Sequence, residues 1–137
     1  MIPVMIAATG TDVLAASMAL LALGRLYQGR GDDQEARSAF DEAVSLGHPV
    51  HAPRALLELA RLEGRAGDTA AQERHLVELV EARIEDVIEA AALDLGALRA
   101  RAGDVPGAVP MLELAAGSLD DEIADAATEL LSRLRAQ

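Results

Sequence analysis

The sequence predicts an all-α protein built from repeated helical hairpins. Gly-Asp pairs stand at Gly31-Asp32, Gly67-Asp68 and Gly103-Asp104, 36 residues apart both times. A fixed period of this size is typical of a solenoid of stacked repeats. Ala and Leu dominate the apolar residues, and the chain holds one Tyr, one Phe and no Trp. This composition favours helices, because strands prefer β-branched and aromatic side chains.

The residues ahead of each Gly-Asp pair repeat as well. Leu23-Gly24-Arg25-Leu26 aligns with Leu59-Ala60-Arg61-Leu62 and Leu95-Gly96-Ala97-Leu98, and a fourth copy starts at Leu131-Ser132-Arg133-Leu134. We therefore expect a single domain over residues 1–137. Its repeats are expected at about 12–47, 48–83 and 84–119, followed by a capping helix at about 120–135.

Each repeat is predicted to contain two helices joined by a glycine turn. The first helices are expected over residues 12–29, 52–65 and 85–101, and the second helices over residues 33–46, 69–82 and 105–117. The Gly supplies the left-handed conformation that ends a helix, and the Asp after it can cap the next helix. Two antiparallel helices joined by so short a turn form an αα-hairpin.

The two ends and the third repeat depart from this pattern. Residues 120–135 are rich in acidic side chains, which suits a capping helix that faces water. Residues 1–9 are apolar, and two interpretations stay open: a short apolar N-terminal cap, or the remnant of another repeat. Pro106 and Pro110 fall in one helix, where Pro110 lacks the N–H that would bond the carbonyl of Pro106. We therefore expect a kink in this helix or a later start.

The residue types at set positions resemble the tetratricopeptide repeat. The first repeat carries that pattern in Leu20, Leu23-Gly24, Tyr27, Gly31, Ala36, Phe40 and Ala43, and the third repeat keeps most of it. The period of 36 residues is also similar to that of the related Sel1-like repeat. Either resemblance implies a right-handed α-solenoid of about three helix–turn–helix repeats. Its first helices would line a concave groove that binds a peptide or a partner helix.

The resemblance also implies which side chains line this groove. They are Met18, Leu21, Arg25, Gln28, Arg54, Leu57, Arg61, Arg65, Ala90, Leu93, Ala97 and Arg101. Leu21, Leu57 and Leu93 would form an apolar stripe beside a row of Arg. This surface suits an acidic partner with apolar side chains, because Arg binds carboxylates through two parallel hydrogen bonds. In the alternative interpretation, the Arg residues pair with Glu58 or Glu63 and the Leu residues are core between repeats.

Charge and composition exclude several other partners. The net charge of −11 argues against DNA and RNA, whose phosphates are bound by basic side chains. All twelve basic residues are Arg, and the absence of Lys and Asn, which have A/T-rich codons, indicates a GC-rich bacterial genome. The apolar start has no basic region and is too short to span a membrane. We expect a cytoplasmic protein that does not enter membranes.

No pattern for catalysis, a cofactor or a metal is visible in the sequence. The chain has no Cys, and its three His residues, His48, His51 and His75, are too scattered for the three or four ligands of a metal site. It also lacks a glycine-rich phosphate loop and an HExxH motif. The sequence therefore predicts a protein-binding module with an adaptor or scaffold role and no enzymatic activity. The alternative is self-association into a homo-oligomer.

Overall fold

The computed structural model describes residues 10–137, with side chains from residue 12 onward. Seven helices are found in this part of the chain: α1 Gly10–Gly29, α2 Asp33–Leu46, α3 His51–Arg65, α4 Thr69–Ala82, α5 Ile88–Arg101, α6 Val105–Ala116 and α7 Asp121–Arg135. Residues 10–137 contain no strand. The prediction of an all-α chain is confirmed for these residues. The prediction of an apolar cap or repeat remnant at residues 1–9 lies outside the described residues.

The helices group into two compact units, which divide between Gln72 and Glu73, inside α4. In the first unit α2 packs on both α1 and α3, and α1 also contacts α3. In the second unit α6 packs on both α5 and α7, and α5 also contacts α7. Each unit therefore contains a helical hairpin packed on a third helix, and α4 is divided between the two units. None of the described helices is long and apolar enough to cross a bilayer.

The three glycine turns have the predicted conformation. Gly31, Gly67 and Gly103 have φ angles of 81°, 89° and 82°, in the left-handed region. In each turn the N–H of the following Asp bonds a carbonyl five residues earlier, as Asp32 N does to Tyr27 O at 2.9 Å. This pattern satisfies carbonyls that the end of a helix leaves without an intrahelical partner. The repeated Gly-Asp pair is thus the signal that ends each first helix.

The Asp of each turn caps the next helix at two of the three positions. Asp68 Oδ1 accepts a hydrogen bond from Ala71 N at 3.1 Å, and Asp104 Oδ1 accepts one from Gly107 N at 3.0 Å. Asp32 precedes α2 without a side-chain capping bond, so the capping prediction is wrong at this position.

The Leu-Gly pair of the repeat has a packing role. A Cβ atom on Gly24 would lie 2.4 Å from Phe40 Cε1, and one on Gly96 would lie 2.7 Å from Leu112 Cδ2. Phe40 and Leu112 are fully buried. The missing side chain therefore lets each second helix place its largest core residue directly against the first helix. The same contact in both units explains why this part of the pattern recurs 72 residues later.

Helix α6 accommodates its two prolines without a delayed start. It begins at Val105, directly after the capping Asp104, and runs to Ala116 with Pro110 inside it. Of the two expected alternatives, the later start is wrong, and the kink stays a prediction. Pro106 falls in the first turn, where an N–H has no intrahelical partner to lose.

Candidate functional site

The predicted groove residues divide between the two units. Eight of the ten principal candidates lie on α1 and α3, which contact each other in the first unit. They are Met18, Leu21, Arg25, Gln28, Arg54, Leu57, Arg61 and Arg65. Leu93 and Arg101 lie on α5 of the second unit, where Leu93 is half-buried against the core cluster and Arg101 is exposed.

The predicted leucine stripe is not a surface in the first unit. Leu21 is 4% exposed and Leu57 is 8% exposed. Leu21 shares the buried side of α1 with Ser17 and Gly24, and Leu57 lies in α3 beside the buried Leu56. The prediction that these leucines receive a partner's apolar side chains is therefore wrong. They belong to the core, as the alternative interpretation stated.

Arg25 is already paired within the chain. Its Nε donates to Glu58 Oε2 of α3 at 3.0 Å, and about half of its side chain is exposed. A partner's carboxylate would have to share or displace Glu58, so Arg25 is a weaker site for an acidic group than the sequence indicated. The more open arginines are Arg54 and Arg65 near the two ends of α3, whereas Arg61 between them is half-buried.

The most apolar described surface belongs to α1, and the predicted set contained only one of its residues. Met18 is 53% exposed and Leu26 is 52% exposed. They lie in a stripe with exposed apolar neighbours at intervals of three and four residues, which places all of them on one side of the helix. We call this stripe the open face of α1; it consists of Leu14, Ala15, Met18, Ala19, Ala22 and Leu26.

The repeat period indicates which positions of this face are covered by a neighbouring helix elsewhere in the chain. One period after Ala19 and Leu26 come Ala55 and Leu62, which are buried in α3, the helix that α1 contacts. Two periods after Ala19 comes Ala91, which is also fully buried. In the repeat these positions are therefore covered by a neighbouring helix. At α1 they remain exposed, so the open face offers a site at which another helix can pack.

A signal for the open face was present in the sequence. Asp12 and Arg25 are the only charged residues of α1. A helix that is apolar on nearly all sides is normally buried on nearly all sides. The apolar residues of α1 therefore exceed what one buried side requires, and this excess indicates a second apolar face.

A histidine pair lies where α3 begins, near the arginine row. His48 Nδ1 accepts hydrogen bonds from Val50 N at 3.2 Å and from His51 N at 3.3 Å, and the two imidazole rings are 4.9 Å apart. Burial, followed by the nearby His48, Arg54 and Arg25, lowers the pKa of His51. The His48 side chain thus satisfies two backbone N–H groups at the start of α3. Within the described residues no group of three or more His, Asp or Glu side chains converges to hold a metal ion.

The resemblance to the tetratricopeptide repeat rests on the residues of the repeat alone. No protein-family model matches the chain, and no curated protein matches its sequence.

Proposed function

We propose that this chain is a protein-interaction module that binds a partner helix on the open face of α1. The observation that carries the proposal is the exposure of Met18 and Leu26 in a continuous apolar stripe. Exposed apolar patches of this kind mark contact surfaces, because covering them removes apolar area from water. The wider architecture that goes with this proposal is a tetratricopeptide-like solenoid acting as an adaptor or scaffold in the cytoplasm.

The shape of the stripe favours a helix as the ligand. Ala15, Ala19 and Ala22 alternate with the larger Leu14, Met18 and Leu26. Small residues let the backbone of a partner helix approach, and the large ones fill the grooves between its side chains. The buried Ala55 and Leu62 of α3 supply the precedent, since they stand at the matching positions of the next first helix.

The charges beside the stripe favour a partner with acidic residues along one edge. Arg54 and Arg65 are exposed on α3, and Arg25 borders the stripe with its guanidinium bound to Glu58. A row of arginines concentrates positive charge on one surface of a chain whose net charge is −11. Exposed ion pairs are individually weak, so these residues would set orientation and association rate more than affinity.

The experiment is an affinity capture from a lysate of the source cell with three baits. The wild-type chain and Leu119→Asp should capture the same partner, whereas the double variant Met18→Asp with Leu26→Asp should lose it. Leu119 is a matched control because it is 99% exposed and lies outside the stripe, so it receives the same type of change. Capture of the same proteins by all three baits would contradict the proposal.

Self-association is the second candidate, and one feature of the open face favours it. The stripe has a symmetric arrangement about residue 20. Leu14 and Leu26 lie six residues from it on either side, and Met18 and Ala22 lie two residues from it. Two copies of α1 could pack antiparallel with Met18 against Ala22 of the other copy. Sedimentation equilibrium separates the candidates, because a mass that stays monomeric as concentration rises excludes the homodimer.

A further inference from the structure

A hollow of about 450 Å³ lies between α1 and α2, on a different side of α1 from the open face. Its α1 wall is apolar and is formed by Leu20, Leu23 and Tyr27. Its α2 wall is polar apart from one residue and consists of Gln34, Glu35, Arg37, Ser38, Ala39 and Glu42. None of these residues belongs to the open face, so the hollow is separate from the site proposed above.

The α1 wall occupies positions that a neighbouring helix covers in the next repeat. Leu23 is 39% exposed, whereas Leu59, one period later, is 3% exposed. Glu63, one period after Tyr27, is buried, and its Oε2 lies 3.5 Å from Arg37 Nη1 of α2, which packs on α3. A helix therefore already lies against this side of α3 in the first unit. The corresponding side of α1 faces the hollow, so the hollow suits a helix as its ligand.

The α2 wall of the hollow carries negative charge. Helix α2 has four acidic side chains and one basic side chain. The basic one is Arg37, whose guanidinium is already paired with Glu63 of α3. Glu35 and Glu42 line the hollow and are exposed. A cationic group is therefore attracted to this wall, whereas a carboxylate is repelled by it.

The spacing of the residues in the two walls matches that of a helical ligand. Leu20, Leu23 and Tyr27 stand at intervals of three and four residues, and Glu35 and Glu42 are seven residues apart. Each row therefore runs along about 10 Å of its helix, at 1.5 Å per residue. Residues two turns apart on a partner helix span the same distance and lie on one side of it. The ring of Tyr27 also suits a basic ligand, because the face of an aromatic ring attracts cations.

We propose that the hollow is a second docking site, which binds an amphipathic helix with basic residues from another protein. The apolar side chains of that helix pack on the α1 wall, and Arg or Lys residues two turns apart pair with Glu35 and Glu42. The preferred charge is opposite to that at the open face, where Arg25 borders the stripe. The two sites therefore select different partner helices, and the hollow does not depend on the open face.

A synthetic peptide and the fluorescence of Tyr27 test the proposal. The probe is a helical peptide rich in Ala and Leu, with two Arg residues two turns apart and no aromatic residue. Tyr27 reports on its binding, because the chain has one Tyr and no Trp. Saturating peptide should lower acrylamide quenching of Tyr27 about twofold, since a helix in the hollow covers the ring. The same peptide with Glu in place of Arg should leave the quenching unchanged.

Three results of this measurement would overturn the proposal. They are equal effects of the two peptides, no effect of either peptide, and quenching that falls as the concentration of the chain alone rises. In the last case a second copy of the chain, and not a basic helix, would cover the hollow.

Substitution of the glutamates shows whether the peptide recognises the α2 wall. Glu35→Gln with Glu42→Gln should weaken binding about fivefold, because exposed ion pairs are individually weak. Glu78→Gln with Glu81→Gln is the matched control, since it changes the net charge equally at exposed residues of α4. This control should keep the wild-type affinity, measured by fluorescence anisotropy of a labelled peptide. Equal losses would mean attraction to any acidic surface and would overturn the proposal.

A pair of leucine variants separates the hollow from the open face. Leu23→Ala shortens a side chain of the α1 wall, and Leu26→Ala shortens one of the open face. Leu23→Ala should weaken binding of the basic peptide at least about threefold, because apolar contact area is lost. Leu26→Ala should leave the affinity unchanged, with the helical content of both variants checked by circular dichroism. A loss at Leu26→Ala that equals or exceeds the loss at Leu23→Ala would place the peptide on the open face and overturn the proposal.

Discussion

The first and the last described helices present opposite surfaces to water. Helix α1 exposes Met18 and Leu26 on an apolar face that Arg25 borders. Helix α7 exposes polar residues instead, among them Asp121, Glu122, Asp125, Glu129 and Arg133. Both helices bury one side in their own unit, so hydrophobic burial of that side is common to them. The difference lies in the second side, which in α7 is suited to solvent and in α1 to another apolar surface.

The two helices show that the side of a helix that stabilises the fold can differ from the side that is available for binding. A helix needs one buried face to remain folded in its unit. A second apolar face adds nothing to the stability of the free chain while it stays exposed, and it becomes favourable only when something covers it. The exposed side of α7 is suited to water, whereas the open face of α1 is suited to contact with an apolar surface.

The largest expected effect compares the same substitution in the two helices. Leu131→Ala in α7 removes a buried side chain and should lower the free energy of unfolding by about 2–5 kcal/mol. Leu26→Ala in α1 removes a half-exposed one and should change it by no more than about 0.5 kcal/mol. Urea denaturation of both variants is the measurement. Similar losses would mean that the face of α1 is covered in the free chain.

The next effect concerns the glycine turn, which the two units share. Gly31→Val and Gly103→Val place a β-branched residue at φ angles of 81° and 82°. Each should destabilise the chain by about 1–2 kcal/mol, the cost of the left-handed conformation for a residue with a Cβ atom. Thermal denaturation of the two variants measures both. A large loss at one turn and none at the other would show that the units do not depend on it equally.

Helix capping distinguishes the two ends at a level of about 1 kcal/mol. Asp120 Oδ1 accepts hydrogen bonds from Glu122 N at 2.9 Å and Ile123 N at 3.4 Å at the start of α7. Asp120→Ala should therefore destabilise the chain by about 1 kcal/mol. Asp32→Ala is the control, since Asp32 makes no side-chain capping bond to α2, and it should have little effect. Equal losses from the two variants in urea denaturation would contradict the assignment of the caps.

The smallest effect is an acid sensitivity of the first unit. Because burial lowers the pKa of His51, the unfolded chain binds a proton at this residue more readily than the folded chain does. Stability is therefore fully present above about pH 6.5, the ordinary pKa of histidine, and decreases as the pH falls below it. His51→Gln should make the free energy of unfolding less dependent on pH between 5 and 7. An unchanged pH profile for His51→Gln would mean that the environment of His51 is misassigned.

Much of the fold could be predicted, because the period and the turn residues are local signals. Helices α2 and α4 have the predicted bounds of 33–46 and 69–82, and the left-handed glycines stand where the Gly-Asp pairs indicated. Helix α5 begins at Ile88 rather than at residue 85, since Arg83 adopts a φ of 52° and a turn follows it. No Gly or Pro marks this turn, so the later start of α5 could not be predicted from the sequence.

The site was harder to predict, because its residues do not differ in type from the core. Leu21 and Leu26 are both leucines of one apolar helix, yet the first is buried and the second is half-exposed. Helical periodicity separates an apolar side from a polar side, and α1 has almost no polar side to separate. Which leucine is exposed depends on the neighbouring helices, and that is tertiary information. The sequence also left two interpretations of Arg25 open, and the tertiary structure shows the one in which it pairs with Glu58.

Binding of a partner helix to the open face of α1 is tested most directly by titration of a captured partner in an isothermal calorimeter. The titrated proteins are the wild-type chain, Leu26→Asp and Leu119→Asp. A carboxylate in a contact that excludes water should weaken binding of Leu26→Asp at least about tenfold, equivalent to about 1.4 kcal/mol. Leu119→Asp should bind as tightly as the wild type, since Leu119 lies outside the face. If Leu26→Asp keeps the wild-type affinity while its helical content and melting temperature are unchanged, the partner binds elsewhere. That result would contradict the assignment of the open face of α1 as the binding site.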